Sequence, residues 1–292
     1  LTPLSILLVL LSALIHSSWN FIAKRGNWPL EFFFWGFLCG ALLYLPVLIG
    51  FGYLPLFLSQ LSFKAFGISL ISSVIQTVYF ICLIKAYRMA DLSLVYPISR
   101  SAPLFTQVWA FLFIGEIVSL QGILGISLVI LGIFVTSVKE FRLNRLLPSF
   151  HTSPQSYSLA LLAALAGSVY VVFDKAGVQI LHPLVFGCLI NLWMCTFIGL
   201  YTWRYRETSL LKAWRDSKKD IVTIAFLQNV GYILILLALQ WSKVSYVISF
   251  RQAGVLFGTL MGILFLKESH WKIRLTGGII LTFGLVLIGF AK

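Results

Sequence analysis

The chain has 292 residues, 60% of them hydrophobic and 11% charged, with a net charge of +13 and a mean hydropathy of +0.97. Those figures exclude an ordinary soluble domain, in which about a quarter of the residues are charged. They also argue against nucleic acid as the partner of the positive charge, because Lys and Arg cluster between apolar stretches, as they do in cytoplasmic loops facing anionic headgroups.

In chain order, the apolar runs predict helices at 4–22, 30–50, 66–87, 92–114 and 119–138. A second set follows at 157–174, 183–203, 220–240, 244–266 and 273–290. A helix needs about 20 apolar residues to cross a hydrocarbon core of about 30 Å, so ten crossings with short loops occupy nearly the whole chain. The first run, Leu4 to Phe21, is taken as a span rather than a secretory signal, because no Lys or Arg precedes it and no small-x-small cleavage pattern follows. The polar segment 139–156 (KEFRLNRLLPSFHTSPQS) divides the chain into a first five-helix unit at 1–138 and a second at 157–292.

The two units repeat one another. At an offset of 152, Gln76 falls on Gln228, Ser93 on Ser245, Glu116 on Glu268, Gly125 on Gly277 and Gly132 on Gly284. At an offset of 151 the opening SSWNFIAKRG lies over SVYVVFDKAG, with Lys24 on Lys175. An odd number of crossings per unit turns the second upside down relative to the first. The expected fold is therefore an all-α polytopic membrane protein, ten transmembrane helices in two inverted five-helix repeats. The loops after odd-numbered spans hold 16 of the 22 Lys and Arg residues, which predicts that they are cytoplasmic and that both termini are not.

Arg100 and Arg251 lie within predicted spans four and nine, where a guanidinium costs at least about 2.5 kcal/mol on insertion scales. Each therefore needs a partner or a water-filled cavity. Each is either a ligand for an anionic group of a solute or a structural arginine tied to carbonyls and Gln side chains. In the 152-residue register they are neighbours rather than matches, with Arg100 over Gln252 and Ser99 over Arg251. Polar residues at helical spacing are candidates to line the same cavity: Asn20 with His16, Gln76 with Tyr79, Tyr96 with Arg100 and Gln107, and Gln228 and Asn229 with Tyr232. His16 and Asp174 are the proton-coupling candidates, Asp174 having a local ion pair with the adjacent Lys175 as its plainer explanation. Pro97 and Pro103 bracket Arg100, so a kink or local unwinding is expected in span four, and because the matching positions in the second half are Ser249 and Val255 it is expected to be asymmetric between the halves. Gly122, Gly125 and Gly132, echoed by Gly277, Gly278 and Gly284, give spans five and ten small faces for close packing and offer a surface for a homodimer.

No phosphate-binding Gly loop, HExxH or GxSxG occurs, and Cys39, Cys82, Cys188 and Cys195 show no metal-ligand spacing, so neither an enzyme nor a cofactor or metal is expected. The run DLSLVYPISRSAPLFTQVWAFLFIGE, the following QGILGISLVILGIFV and the opening ALIHSSWNFIAKRG resemble the EamA family of the drug/metabolite transporter superfamily. The second half, SFRQAGVLFGTLMGILFLKES, keeps the Phe-Leu-x-Glu ending but lacks the Tyr-Pro pair. The resemblance implies a secondary transporter in the cell membrane, such as a bacterial inner membrane, exporting an amino acid or other small metabolite through a central cavity by alternating access. A flippase-like carrier of a lipid-linked substrate and a non-transporting membrane scaffold or sensor are the alternatives.

Overall fold

The computed structural model describes residues 1–23, 30–89, 92–137, 154–205, 208–266 and 271–291, with the backbone alone for 19–23, 92–94 and 261–266. The side chain of Asn20, the repeat markers Lys24 and Glu268 and most of the 139–156 segment lie outside the described residues. Every described element is an α-helix. The first half contains α1 (Pro3–Ala23), α2 (Leu30–Gly50), α3 (Leu54–Gln60), α4 (Phe63–Met89), α5 (Leu92–Ser99), α6 (Ala102–Ile114) and α7 (Leu120–Ser137). The second contains α8 (Pro154–Val178), α9 (Pro183–Arg204), α10 (Leu210–Trp241), α11 (Val244–Phe250), α12 (Ala253–Leu266) and α13 (Trp271–Gly289). Seven of these, α2, α4, α7, α8, α9, α10 and α13, are long and apolar enough to cross a membrane.

The order of elements repeats. The short α3 and the long α4 of the first half correspond to the single α10, which bends at Ser217, where φ is −137° and ψ 17°. The sequence pattern anticipated only the part of α10 beyond this bend. Helix α6 ends at Gly115, whose φ of 67° lets the chain reverse while the N–H of Glu116 bonds to the carbonyl of Ala110 at 3.1 Å. That reversal directs Glu116 towards the second half.

The two halves do not pack as separate bodies. The most extensive helix pairings all cross between them: α7 with α13, α4 with α8, α1 with α10 and α2 with α9. Lipid is as apolar as a leucine side chain, so apolar burial gives helices no reason to associate in a membrane, and close van der Waals contact and interhelical hydrogen bonds take its place. Both are present. Asn191 donates to Asn229 at 2.8 Å between α9 and α10, and Ser12 Oγ of α1 donates to the Gly231 carbonyl of α10 at 2.7 Å.

The glycine faces of α7 and α13 meet each other within the chain. A Cβ on Gly132 would stand 2.6 Å from the backbone nitrogen of Leu281, one on Gly277 2.5 Å from that of Thr136, and one on Gly284 2.6 Å from the carbonyl oxygen of Gly125. The glycine faces of α7 and α13 thus pack closely against one another inside one chain.

The contrast with Gly36, which has open space around its Cβ position, gives a direct check. Gly132→Ala should force α7 and α13 apart and lower the thermal unfolding midpoint of the purified protein. Gly36→Ala, in the interior of α2, should hold or raise it, since Ala exceeds Gly in helix propensity by about 1 kcal/mol.

Candidate functional site

Two helices are interrupted inside the bundle, and an arginine stands at each interruption. Between α5 and α6 the Arg100 N–H still reaches the Tyr96 carbonyl four residues back, at 3.0 Å, but Ser101 bonds only three back, to Ile98 at 3.1 Å, and Leu104 three back, to Ser101 at 3.0 Å. Between α11 and α12 the pattern recurs: Arg251 to Val247 at 2.9 Å, Gln252 to Ser249 at 3.1 Å and Val255 to Gln252 at 2.9 Å. Each break is one tightened turn of helix.

Two expectations change here. The tightened turn occurs in both halves, because it needs no proline. The second half forms it with Gly254, whose N–H bonds to the Arg251 carbonyl at 3.1 Å, at the position where Pro103 of the first half has no N–H to give. And the hydrogen bonds run in a 151-residue register, which makes Arg100 and Arg251 equivalent positions. The one-residue difference arises because α5 has eight residues and α11 seven.

Around Arg100 the groups are aromatic and imidazole. Its Nη2 lies 3.2 Å from His16 Nε2, and its guanidinium sits over the Tyr96 ring, 5.1 Å from the centroid. Tyr79, Tyr87 and Tyr170 are near enough to act on its charge. No carboxylate among the described residues pairs with it. Helix α1 is held in register for this contact by two hydroxyls that flank His16, Ser12 to Gly231 and Ser17 Oγ to the Gly254 carbonyl at 2.6 Å. Arg251 is near enough to act on the charge of the same His16. The buried Nε of Arg251 has no hydrogen-bond partner among the described residues.

Asp174 is buried in α8 and does not form the local ion pair with Lys175. Adjacent helical residues point about 100° apart, so the two side chains leave in different directions. The carboxylate accepts from Ser72 Oγ of α4 at 2.5 Å and from Tyr232 OH of α10 at 2.8 Å, and it acts on the charge of Arg251. Lys175 instead donates to the carbonyls of Leu239 and Ser242 at the end of α10.

The same end of the bundle is tied across the halves. Glu116 accepts from the backbone N–H groups of Val244 at 2.8 Å and Ser245 at 3.0 Å, which caps α11. Ser242 Oγ donates to Ser5 Oγ at 2.8 Å. Tyr246 OH bonds to both the backbone N–H and the hydroxyl of Ser119. Helix α11, and with it Arg251, is therefore positioned by residues of the first half.

Of the residues singled out from sequence, His16, Tyr79, Tyr96, Arg100, Asp174, Tyr232 and Arg251 gather around this centre, with Gln76 beside Tyr232. Asn229 is engaged with Asn191 and with the Ala225 carbonyl against Gly40, and serves helix packing. Gln107 bonds to the Leu104 carbonyl of its own helix, and no described hydrogen bond joins Gln228 to the arginines. Ser72, Tyr87 and Tyr170 were missed. Ser72 lies four residues before Gln76, and Tyr170 four before Asp174, so helical spacing from the residues already chosen would have found both. The four cysteines are free, and among the described residues no His, Cys, Asp and Glu group could hold a metal ion.

The model of the EamA-like transporter family matches residues 3–138 and again 155–290. The chain belongs to that family. Both halves are thus copies of one EamA module, and the family is one of membrane transporters. A solved crystal structure shares the fold over 97% of this chain and 95% of its own, with a TM-score of 0.77 at 13% sequence identity. No curated protein matches the chain.

The Glu116 cap offers a test of how this EamA chain positions its second arginine. Glu116→Ala leaves two buried N–H groups at the start of α11 without their acceptor, which should cost about 1–2 kcal/mol. Thermal unfolding should move down, and Glu116→Gln, which retains one acceptor oxygen, should lie between the alanine variant and the parent.

Proposed function

We propose that the chain is a secondary carrier of a small organic anion, an amino acid carboxylate or a comparable acidic metabolite, that works by alternating access. The observation that carries this reading is Arg100: a permanent charge at a break in a helix of the bundle, faced by tyrosines and a histidine and by no carboxylate among the described residues. A solute anion completes that site. Arg251, at the equivalent turn of the second half and with an unpartnered Nε, supplies a second point of attachment. Tyr79, Tyr96, Tyr232 and Gln76 would orient the solute through hydroxyl and amide groups, and the backbone bends at both arginines are the natural hinges.

On this reading α5 with α6, and α11 with α12, each make one crossing in two pieces. With α1 and the seven long helices they complete ten crossings, five per half and of opposite orientation. The charge asymmetry of the loops then sets the termini on the non-cytoplasmic side of the cell membrane, and the family resemblance favours export.

A second reading, a carrier of a lipid-linked substrate, has one observation in its favour. A cavity of about 370 Å³ between α1, α11, α12 and α13 is lined by Leu10, Phe250, Leu256, Phe257 and Phe290 among other apolar groups, a lining suited to an acyl chain.

Reconstitution in liposomes separates the two. Purified protein should move small carboxylates or phosphate esters across a sealed bilayer without a lipid anchor, and Arg100→Gln should reduce kcat/KM by about tenfold to a hundredfold, the equivalent of a charged hydrogen bond worth 1.5–3 kcal/mol. Unchanged flux in a folded Arg100→Gln protein would remove Arg100 from the site, and flux of lipid-linked anions alone would favour the second reading.

A further inference from the structure

The connection from α10 into α11 is held to the first half residue by residue. Ser242 Oγ donates to Ser5 Oγ at 2.8 Å, Lys243 Nζ to the Ile117 carbonyl at 2.9 Å, and the Val244 and Ser245 N–H groups to the Glu116 carboxylate at 2.8 and 3.0 Å. The Tyr246 hydroxyl completes the series with the N–H and hydroxyl of Ser119, and its ring lies so close to Gly122 that a Cβ there would stand 2.5 Å from the phenolic oxygen. Every residue from 242 to 246 is thus tied across the halves, at the end of the bundle where α6 turns into α7. On its own side the connection has a separate anchor, Lys175 of α8, which donates to the Leu239 and Ser242 carbonyls.

Helix α11 runs from these ties to the tightened turn at Arg251. It packs against α1, α6, α7 and α8 with all of its residues buried, so that while tied it fills the way from this end of the bundle to Arg251. The ties themselves are suited to being broken. Each is a hydrogen bond at the mouth of the bundle, where water can take the place of the lost partner, whereas an N–H released at mid-membrane would find no substitute. Release of these bonds would leave Lys175 holding the connection to the second half and the turn at Arg251 free to act as a hinge.

We infer that residues 242–246 and their partners in the first half form a latch that closes this end of the site, with Glu116 as its main acceptor, and that the latch opens in each transport cycle as α11 pivots about the turn at Arg251. This inference rests on the alternating-access reading above, and in the orientation proposed there the latch lies on the non-cytoplasmic side. It gives Glu116 a role beyond capping a helix: it is the positioning residue of the closed state.

The test uses the full-length protein. Ser5→Cys combined with Ser242→Cys places two thiols where the hydroxyls stand 2.8 Å apart, within reach of a disulfide. In liposomes, with radiolabelled L-lactate, L-aspartate and inorganic phosphate as probes, the oxidised double variant should lose flux of whichever probe the parent carries. Dithiothreitol should restore that flux, and the parent should be indifferent to the oxidant. A second measurement needs neither crosslink nor flux. With the four native cysteines replaced by serine, Ser245→Cys puts a thiol at a buried position of the latch. Glu116→Ala should raise its rate of reaction with a water-soluble maleimide by about tenfold, the effect of losing two hydrogen bonds that favour the closed form. A thiol at Thr202→Cys, buried in α9 and outside the latch, should react no faster in the same background, which separates opening of the latch from general unfolding. Undiminished flux in the crosslinked variant, or a labelling rate that Glu116→Ala leaves unchanged, would overturn the inference while leaving the carrier intact. Absence of flux for every probe in the parent would overturn the carrier reading, and the labelling rate would still decide whether the latch exists.

Discussion

A guanidinium within a bundle that lies in lipid is the constraint on which the rest of this structure depends. The charge cannot be discharged, since arginine stays protonated at any physiological pH, and leaving it unsolvated costs several kcal/mol. The fold answers with a ring of tyrosines, an imidazole and, on one side, a buried aspartate. These groups come from α1, α4, α5, α8 and α10. No one half supplies them all, so the site exists only when the halves interlock, and the cross-half pairings of α1 with α10 and α4 with α8 are what bring its walls together.

Duplication explains why there are two arginines. The turns that carry them share a hydrogen-bond pattern, which is the signature of one module used twice. Their surroundings have diverged. Arg100 kept the proline-flanked turn and contacts His16 and Tyr96, whereas Arg251 sits on a short helix capped by Glu116 from the other half and lies within reach of Asp174. A matched pair of scaffolds thus carries an unmatched pair of surroundings, one arginine facing an imidazole and tyrosines and the other within reach of an internal acid.

Much of the fold was legible in the sequence because lipid simplifies the reading: long apolar runs, loop charge and a repeat offset identify helices and halves without any tertiary information. The broken helix in the second half was not legible. A proline marks such a break by its missing N–H, but the turn at Arg251 has no residue that could announce it, and the alignment set by the start of α11 hid the one-residue shift that makes the two arginines equivalent. The site was partly legible. Helical spacing assembled His16, Tyr79, Tyr96 and Tyr232, but it has no means of telling which of two adjacent charged residues turns inward. Asp174 and Lys175 looked like a pair in the sequence, and in the structure the first faces the site while the second caps a neighbouring helix. Asn229 shows the converse: a polar residue at the right spacing that is used for packing between helices.

The central claim is that the interior charge is completed by an anion brought in as solute. It is tested most directly by measuring thermal stabilisation of the purified protein by matched pairs of small molecules, carboxylates or phosphate esters against their neutral amide or alcohol counterparts, in the parent and in an Arg100→Gln, Arg251→Gln double variant. The account predicts that the anionic member of at least one pair stabilises the parent, that its neutral counterpart does not, and that the double variant shows no difference between them. Equal stabilisation by the neutral counterpart, or an anion effect that persists in the double variant, would contradict it.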